Sequence, residues 1–178
     1  MRLCCLMSPN RLTLMNPSLQ LDSTDRAILH YLQACAKLTN AQLAQHIGLS
    51  PASTLERVRK LERQGVIKSY HAKLDPRKLA LHTFMLVQLK VHPLTAASVT
   101  ALQETIANIP EVVACYQVIG DVDFVLQVVV TDIATYQQRV VHRLSEVKGI
   151  QHLKASIVTA TLKETGIPVT PPHTAPSS

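Results

Sequence analysis

Cysteine is scarce and scattered. The four thiols, Cys4, Cys5, Cys35 and Cys115, include no C-x-x-C pair, and none stands with histidine at zinc-finger spacing. The sequence therefore points to neither a disulfide framework nor a structural metal, and no cofactor is expected. The eight histidines share no spacing, and no set of side chains reads as catalytic. Long apolar runs are missing too: residues 124–130 form one of the longest, far below the roughly 20 residues that span a bilayer. The start, Met1-Arg-Leu-Cys-Cys-Leu-Met7, only faintly resembles a signal peptide, because its apolar run is short and no good cleavage site follows. These absences suggest a reducing compartment, a cytoplasmic protein and no membrane partner. Met7 and Met15 are both possible alternative starts.

What is present is positive charge, unevenly placed. Residues 22–79 hold ten Lys/Arg against five Asp/Glu, whereas residues 80–167 hold six against seven. A basic first half beside a near-neutral second half is the footprint of a nucleic-acid-binding module joined to something else.

Within the basic half, residues 49–65 read as a helix that carries its own punctuation. Ser50 can cap it, Pro51 suits the first helical position, and Gly65 can end it. Leu55, Val58, Leu61 and Glu62 fall on one side; Ser53, Glu56, Arg57, Lys60 and Arg63 lie toward the other. Just upstream, residues 40–48 form a second short helix with Leu43, Ala44 and Ile47 as its apolar face, Asn40 as a possible cap, and Gly48-Leu49-Ser50 as a tight turn. Two short helices joined by a glycine turn are a helix-turn-helix, whose second helix enters the major groove of double-stranded DNA. Alone, the basic helix reads better as a solvated surface helix; the preceding helix and turn favour DNA.

A first helix spans residues 22 to about 37, capped by Asp22 or Ser23, with Leu21, Ile28, Leu29 and Leu32 inward. Residues 66–74 read as a strand, either a small wing after the recognition helix or a connecting strand. Asp75-Pro76 signals a turn, and residues 75–82 a hinge. The domain boundaries expected are a disordered arm at 1–20, a DNA-binding domain at 21–74, the hinge, a second domain at 83–167 and a disordered tail at 168–178.

The second half alternates: a strand at 83–91, a helix at 95–108 with Val99, Leu102 and Ile106 on one face, strands at 112–119 and 122–130 around a Gly120-Asp121 turn, a helix from 131 or 132 to about 147 with Ile133, Tyr136, Val140 and Leu144 inward, and a strand at 150–162. The order βαββαβ is the ferredoxin-like unit, and the whole is an α+β protein. Its sheet is apolar on both faces, with Phe84 and Leu86 on the side the helices do not cover. A greasy free face predicts at least a homodimer, built sheet on sheet, and further assembly to tetramers or octamers.

Several spaced motifs together resemble the Lrp/AsnC (leucine-responsive/asparagine-type) family of transcription regulators. They are Leu21-Asp22-x-x-Asp25-x-x-Ile28-Leu29-x-x-Leu32-Gln33, Leu43-Ala44-x-x-Ile47-Gly48-Leu49-Ser50-Pro51, Arg57-Val58-x-x-Leu61-Glu62-x-x-Gly65-Val66-Ile67, Tyr70-x-Ala72-x-Leu74-Asp75-Pro76, Pro110-Glu111-Val112 and Gly120-Asp121-x-Asp123-Phe124. The resemblance covers about residues 21–167. It implies an N-terminal winged helix-turn-helix, a C-terminal αβ sandwich of the RAM/ACT-like kind that oligomerises, and a small effector, commonly an amino acid, sensed near Gly-Asp-x-Asp. The chain departs from the family pattern at Glu56, where a basic residue is common, and at Ala155, where threonine is common.

The residues expected to touch DNA are Ser53, Thr54 and Arg57, with Ser50, Arg59, Lys60 and Lys68 toward phosphates; Thr54 can also tuck under its own helix. Gly120, Asp121 and Asp123 are the expected effector residues. Gly-Asp is ordinary turn chemistry, but an aspartate just inside a strand breaks β propensity, so Asp123 reads either as a partner for an effector ammonium or as a cap on turn amides. A second reading of the whole is an enzyme, since sirohaem decarboxylases look similar in both halves; they carry a His- and aromatic-rich signature, whereas this chain lacks tryptophan. A third is an amino-acid-sensing module that has lost DNA binding, against which the intact basic helix-turn-helix argues.

Overall fold

The computed structural model describes residues 20–169. The expected arm and tail lie outside the described residues, except for their innermost positions. The described residues divide into two compact units: one runs to Ala72 and takes in the chain from Thr165 onward, and the other is Lys73–Glu164.

The first unit is three helices, α1 (Ser23–Ala34), α2 (Asn40–Ile47) and α3 (Pro51–Arg63). Each starts on a side-chain cap that satisfies an orphan N–H. The Asp22 carboxylate accepts from the Asp25 N–H, and the Ser50 hydroxyl accepts from the Ser53 N–H. The α2 cap is Thr39, in a reciprocal capping box with Gln42, not the expected Asn40. Asn40 instead donates its amide to the Pro51 carbonyl at 2.6 Å, tying α2 to the start of α3. Gly48 closes α2 at φ +71°, and the Leu49 N–H returns to the Ala44 carbonyl. An L side chain adopts that dihedral only at a cost, so the sharp turn needs this glycine.

Ile28, Leu43 and Leu61 are the buried centre of this unit, with Leu21, Leu29, Leu32, Ile47 and Val58 packed around them. The face of α3 that enters the core is rotated from the one read in the sequence. Thr54 and Leu61, seven residues and two turns apart, are fully buried, whereas Leu55 is exposed. The expected strand at 66–74 is absent. Val66 and Ile67 fold back, donating their N–H groups to the Leu61 carbonyl and packing on the core, and the residues to Leu74 pair with no strand. Val66 and Ile67 serve as a plug for the helical core, not as part of a ladder.

The second unit is the expected βαββαβ fold. A 3-10 turn at Pro76–Leu79 precedes β1 (Thr83–Val91); then follow α4 (Ala96–Ala107), β2 (Val112–Gln117), β3 (Phe124–Val130), a continuous helical stretch and β4 (Ile150–Ile157). The sheet is antiparallel in the order β2-β3-β1-β4. The second helical stretch is an α-turn at Ile133–Thr135, a π-helical segment at Tyr136–Val141 and a last α-turn at His142–Ser145. Met85, Val87, Leu89, Val91, Leu126, Val128 and Val130 face the helices, meeting Leu102, Tyr136, Val140 and Leu144. Ile133, expected inward, is exposed. The last strand stops at Ile157, five residues before its expected end.

The other sheet face carries Phe84, Leu86, Gln88 and Lys90 of β1 beside Val125, Gln127 and Val129 of β3. A bulge between Val112 and Ala114 resets β2. Val112 pairs with core-facing Val128, whereas Ala114 and Tyr116 pair with Gln127 and Val125 on the free face. A strict alternation from Val112 would put Val112, Ala114 and Tyr116 on one face, and the bulge splits them. Toward β4 the free face turns polar, with Lys154 opposite Gln88 and His152 opposite Lys90.

Candidate nucleic-acid interface and effector loop

The outer side of α3 is a cationic stripe. Ser53, Glu56, Arg57, Lys60 and Arg63 line one shallow depression together with Asp22 of the α1 cap. Ser50, Ser53, Arg59 and Lys68 are exposed, and Lys60 is partly so. The Ser50 hydroxyl accepts the Ser53 N–H at 3.2 Å and keeps its own proton for another partner. Arg63, on the same stripe, was not among the expected DNA contacts; its spacing from Lys60 and Glu56 was the signal for it. Glu56 is exposed within the stripe and lowers its positive charge.

Two expected contacts are placed differently. Thr54 is fully buried, and its hydroxyl donates to the Ser50 carbonyl at 3.0 Å. No atom of it is free to meet a base, so its role is to hold the first turn of α3. Arg57, expected to point outward, lies across the gap to α1. Its Nη1 is 2.6 Å from Asp22 Oδ2 and 2.8 Å from Asp25 Oδ1. Asp25 is fully buried. The Asp25 N–H, and then the Arg57 guanidinium, hold the Asp22 carboxyl below the usual carboxylate range, while Asp22 and Asp25 raise Arg57 further.

In the second unit the loop between β2 and β3 carries Gly120, Asp121 and Asp123. It runs over six residues, closed by the Val118 N–H on the Asp123 carbonyl at 2.9 Å, where a two-residue turn was expected. Gly120 has φ +155° and open space where a Cβ would stand, and Asp121 is exposed. Asp123 is only 9% exposed. Its Oδ2 accepts the Val91 N–H at 2.8 Å and its Oδ1 meets Lys90 Nζ at 3.1 Å. The Val91 N–H, helped by Lys90, holds its carboxyl below the usual range. The carboxylate thus pins the loop to the end of β1. The amide that Asp123 caps is that of Val91 in β1, not one of the turn amides expected.

Among the described residues no cluster of His, Cys, Asp and Glu could hold a metal, and no helix is long and apolar enough to cross a membrane.

Two family models match this chain: a winged helix-turn-helix DNA-binding domain over residues 21–68 and an Lrp/AsnC ligand binding domain over residues 84–168. The transcriptional regulator AzlB of Bacillus subtilis is 33% identical over 147 residues, covering 83% of this chain and 94% of its own. The Bkd operon transcriptional regulator of Pseudomonas aeruginosa is 35% identical over 137 residues, covering 77% and 90%. Among solved structures, a transcriptional regulator of Neisseria meningitidis in complex with L-Met superposes with a TM-score of 0.80 at 29% identity, covering 85% of this chain and 98% of that one.

Proposed function

Starting from the membership of this chain in the Lrp/AsnC family of transcriptional regulators, we propose that it binds its operator through α3 and answers to an amino acid held at the β2–β3 loop of a homo-oligomer. DNA binding and regulation belong to the family; the residues, the effector and the assembly are the proposal. The enzyme alternative is not retained, because the matched relatives are regulators and the family models describe DNA and ligand binding.

The observation that carries the reading is the exposed stripe of α3. Ser53 stands in the first turn, where a recognition helix meets base edges. The exposure of Ser50, Arg59, Arg63 and Lys68, and the partial exposure of Lys60, support their role toward phosphates. A symmetric dimer offers two such stripes and reads a pseudo-palindrome with half-sites about 34 Å apart or a multiple of it. With Arg59, Lys60, Arg63 and Lys68 from each protomer, about eight phosphates are neutralised, so affinity falls roughly 10⁴-fold between about 50 and 200 mM salt. A gel shift with the DNA upstream of the chain's own coding region tests this. A retarded band that weakens at that rate with salt supports it; no band at micromolar protein overturns it.

For the effector, the support is an exposed acid, Asp121, next to a Gly120 backbone open to close approach, and a structural neighbour of similar length that holds L-Met. An α-amino acid has an ammonium for Asp121 and a carboxylate for loop N–H groups. Asp123 keeps the loop in place. A melting-temperature series with the common amino acids tests it: a shift with at least one, lost in Asp121→Ala, is expected. The free sheet face, with Phe84, Leu86, Val125 and Tyr116, supports dimerisation. A cytoplasmic location agrees with DNA as the target.

A further inference from the structure

The Arg57 ion pairs bear on how the DNA-reading helix is held. α1 and α3 touch through a small apolar centre built on the buried Ile28, Leu43 and Leu61. Beside it, one guanidinium nitrogen bridges two carboxylates of α1, Asp22 at 2.6 Å and Asp25 at 2.8 Å. Asp22 acts through both of its oxygens. Its Oδ1 caps α1 by accepting the Asp25 N–H at 2.7 Å, and its Oδ2 holds Arg57. Asp25 is fully buried, and its Oδ2 has no hydrogen bond. Lys60 Nζ, one turn along α3 from Arg57, stands 3.6 Å from that oxygen, an ion pair without a hydrogen bond.

We propose that Arg57 is a positioning residue that clamps α3 onto α1 at the angle DNA requires, and that Lys60, not Arg57, is the cation of this cluster that meets a phosphate. For Arg57 to reach a phosphate it must give up its hydrogen bonds to two carboxylates and leave the buried Asp25 with only Lys60, at 3.6 Å. That loss is large in a low-dielectric site, whereas one exposed phosphate contact returns little. Lys60 is held only at its longer distance and is 43% exposed, so it can turn to DNA while Arg57 keeps Asp25 neutralised. The clamp also acts electrostatically, because without Arg57 the two carboxylates of Asp22 and Asp25 would face a single cation, Lys60, and leave net negative charge beside the DNA backbone.

This inference deepens the reading of α3 as the recognition helix, and its test separates the two. Failure of the parent chain to bind DNA would defeat that reading; the variants below defeat only the clamp. The measurements are DNA affinity well below each melting temperature and the slope of log affinity against log salt. Arg57→Met is expected to melt lower and, while still folded, to bind at least tenfold more weakly with an unchanged salt slope. Lys60→Met is expected to keep its melting temperature and to lose about 0.9 from the slope per protomer, the signature of one lost phosphate contact. Asp25→Leu combined with Arg57→Met replaces the buried ion pair by an apolar contact between α1 and α3, which restores the positioning, and is expected to bind within about threefold of the parent. The proposal is overturned if Arg57→Met lowers the slope by about 0.9 per protomer, if folded Arg57→Met binds as the parent does, or if the double variant folds and binds no better than Arg57→Met. Should the double variant not fold, the slope of Arg57→Met decides.

Discussion

Asp123 shows how one carboxylate changes meaning with its neighbours. In sequence it is an acid breaking strand propensity beside a turn; in the structure it caps the Val91 N–H and salt-bridges Lys90. Asp123→Ala leaves the buried Val91 N–H without a partner, a loss of about 1–3 kcal/mol. The melting temperature should therefore fall even with no amino acid present, whereas Asp121→Ala should leave it unchanged and remove only the effector-induced shift. Equal melting curves for Asp123→Ala and the parent would refute the capping role. Tyr136 is the converse case. Its hydroxyl is buried and makes no hydrogen bond, and burial pushes its phenol pKa up. Tyr136→Phe removes that unpaired group without opening a cavity, so chemical denaturation should show unchanged or higher stability, by up to about 1 kcal/mol; a clear loss would mean that the hydroxyl has a partner. Single-residue roles of this kind were only partly legible. Thr54 and Leu55 are neighbours 100° apart on a helix, and hydropathy alone put Leu55 inside, whereas the core of this unit took Thr54, whose hydroxyl is satisfied within its own turn.

At the scale of elements, what was legible was local. The caps at Asp22 and Ser50 and the glycine after α2 depend on a few adjacent residues, and all stand where the sequence put them. The β2 bulge, the π-helical segment and the Arg57 clamp depend on partners far along the chain, and no periodicity announces them. The caps also set the acid response. The carboxyls of Asp22, Asp123 and Asp132 are each lowered first by a backbone N–H, from Asp25, Val91 and Thr135. A carboxyl lowered in the folded state contributes stability that is fully present above its unfolded value, here 3.8, and is lost as pH falls through the folded value. Stability from these groups should thus hold from neutrality to about pH 5 and decline below pH 4. Asp22→Asn, which retains a capping oxygen but not the charge, should flatten the part of that decline belonging to the first unit in denaturant melts between pH 5 and 2. An unchanged slope would show that the Asp22 charge does nothing for folding.

At the scale of the whole molecule, the proposed sheet-face dimer would connect assembly to DNA affinity. Val125 lies in its apolar part, opposite Gln88 on one side and Tyr116 on the other. Its side chain points away from the helix-covered core, so Val125→Glu adds a charge to the free face without disturbing Leu126 or Val128 beneath. Two sheets packed face to face cannot solvate that carboxylate, and an unpaired buried charge opposes association by several kcal/mol. The expected result is a fold intact by circular dichroism and a halved mass by light scattering. Each released protomer still carries an unaltered α3, so it should still bind one half-site. What it loses is the second half-site held nearby, and with it an avidity of roughly 10²–10⁴. Full-operator affinity should fall by that factor, while affinity for an isolated half-site changes little. A dimeric Val125→Glu would move the interface off this face, and a monomer that bound the full operator as tightly as the parent would separate DNA reading from assembly.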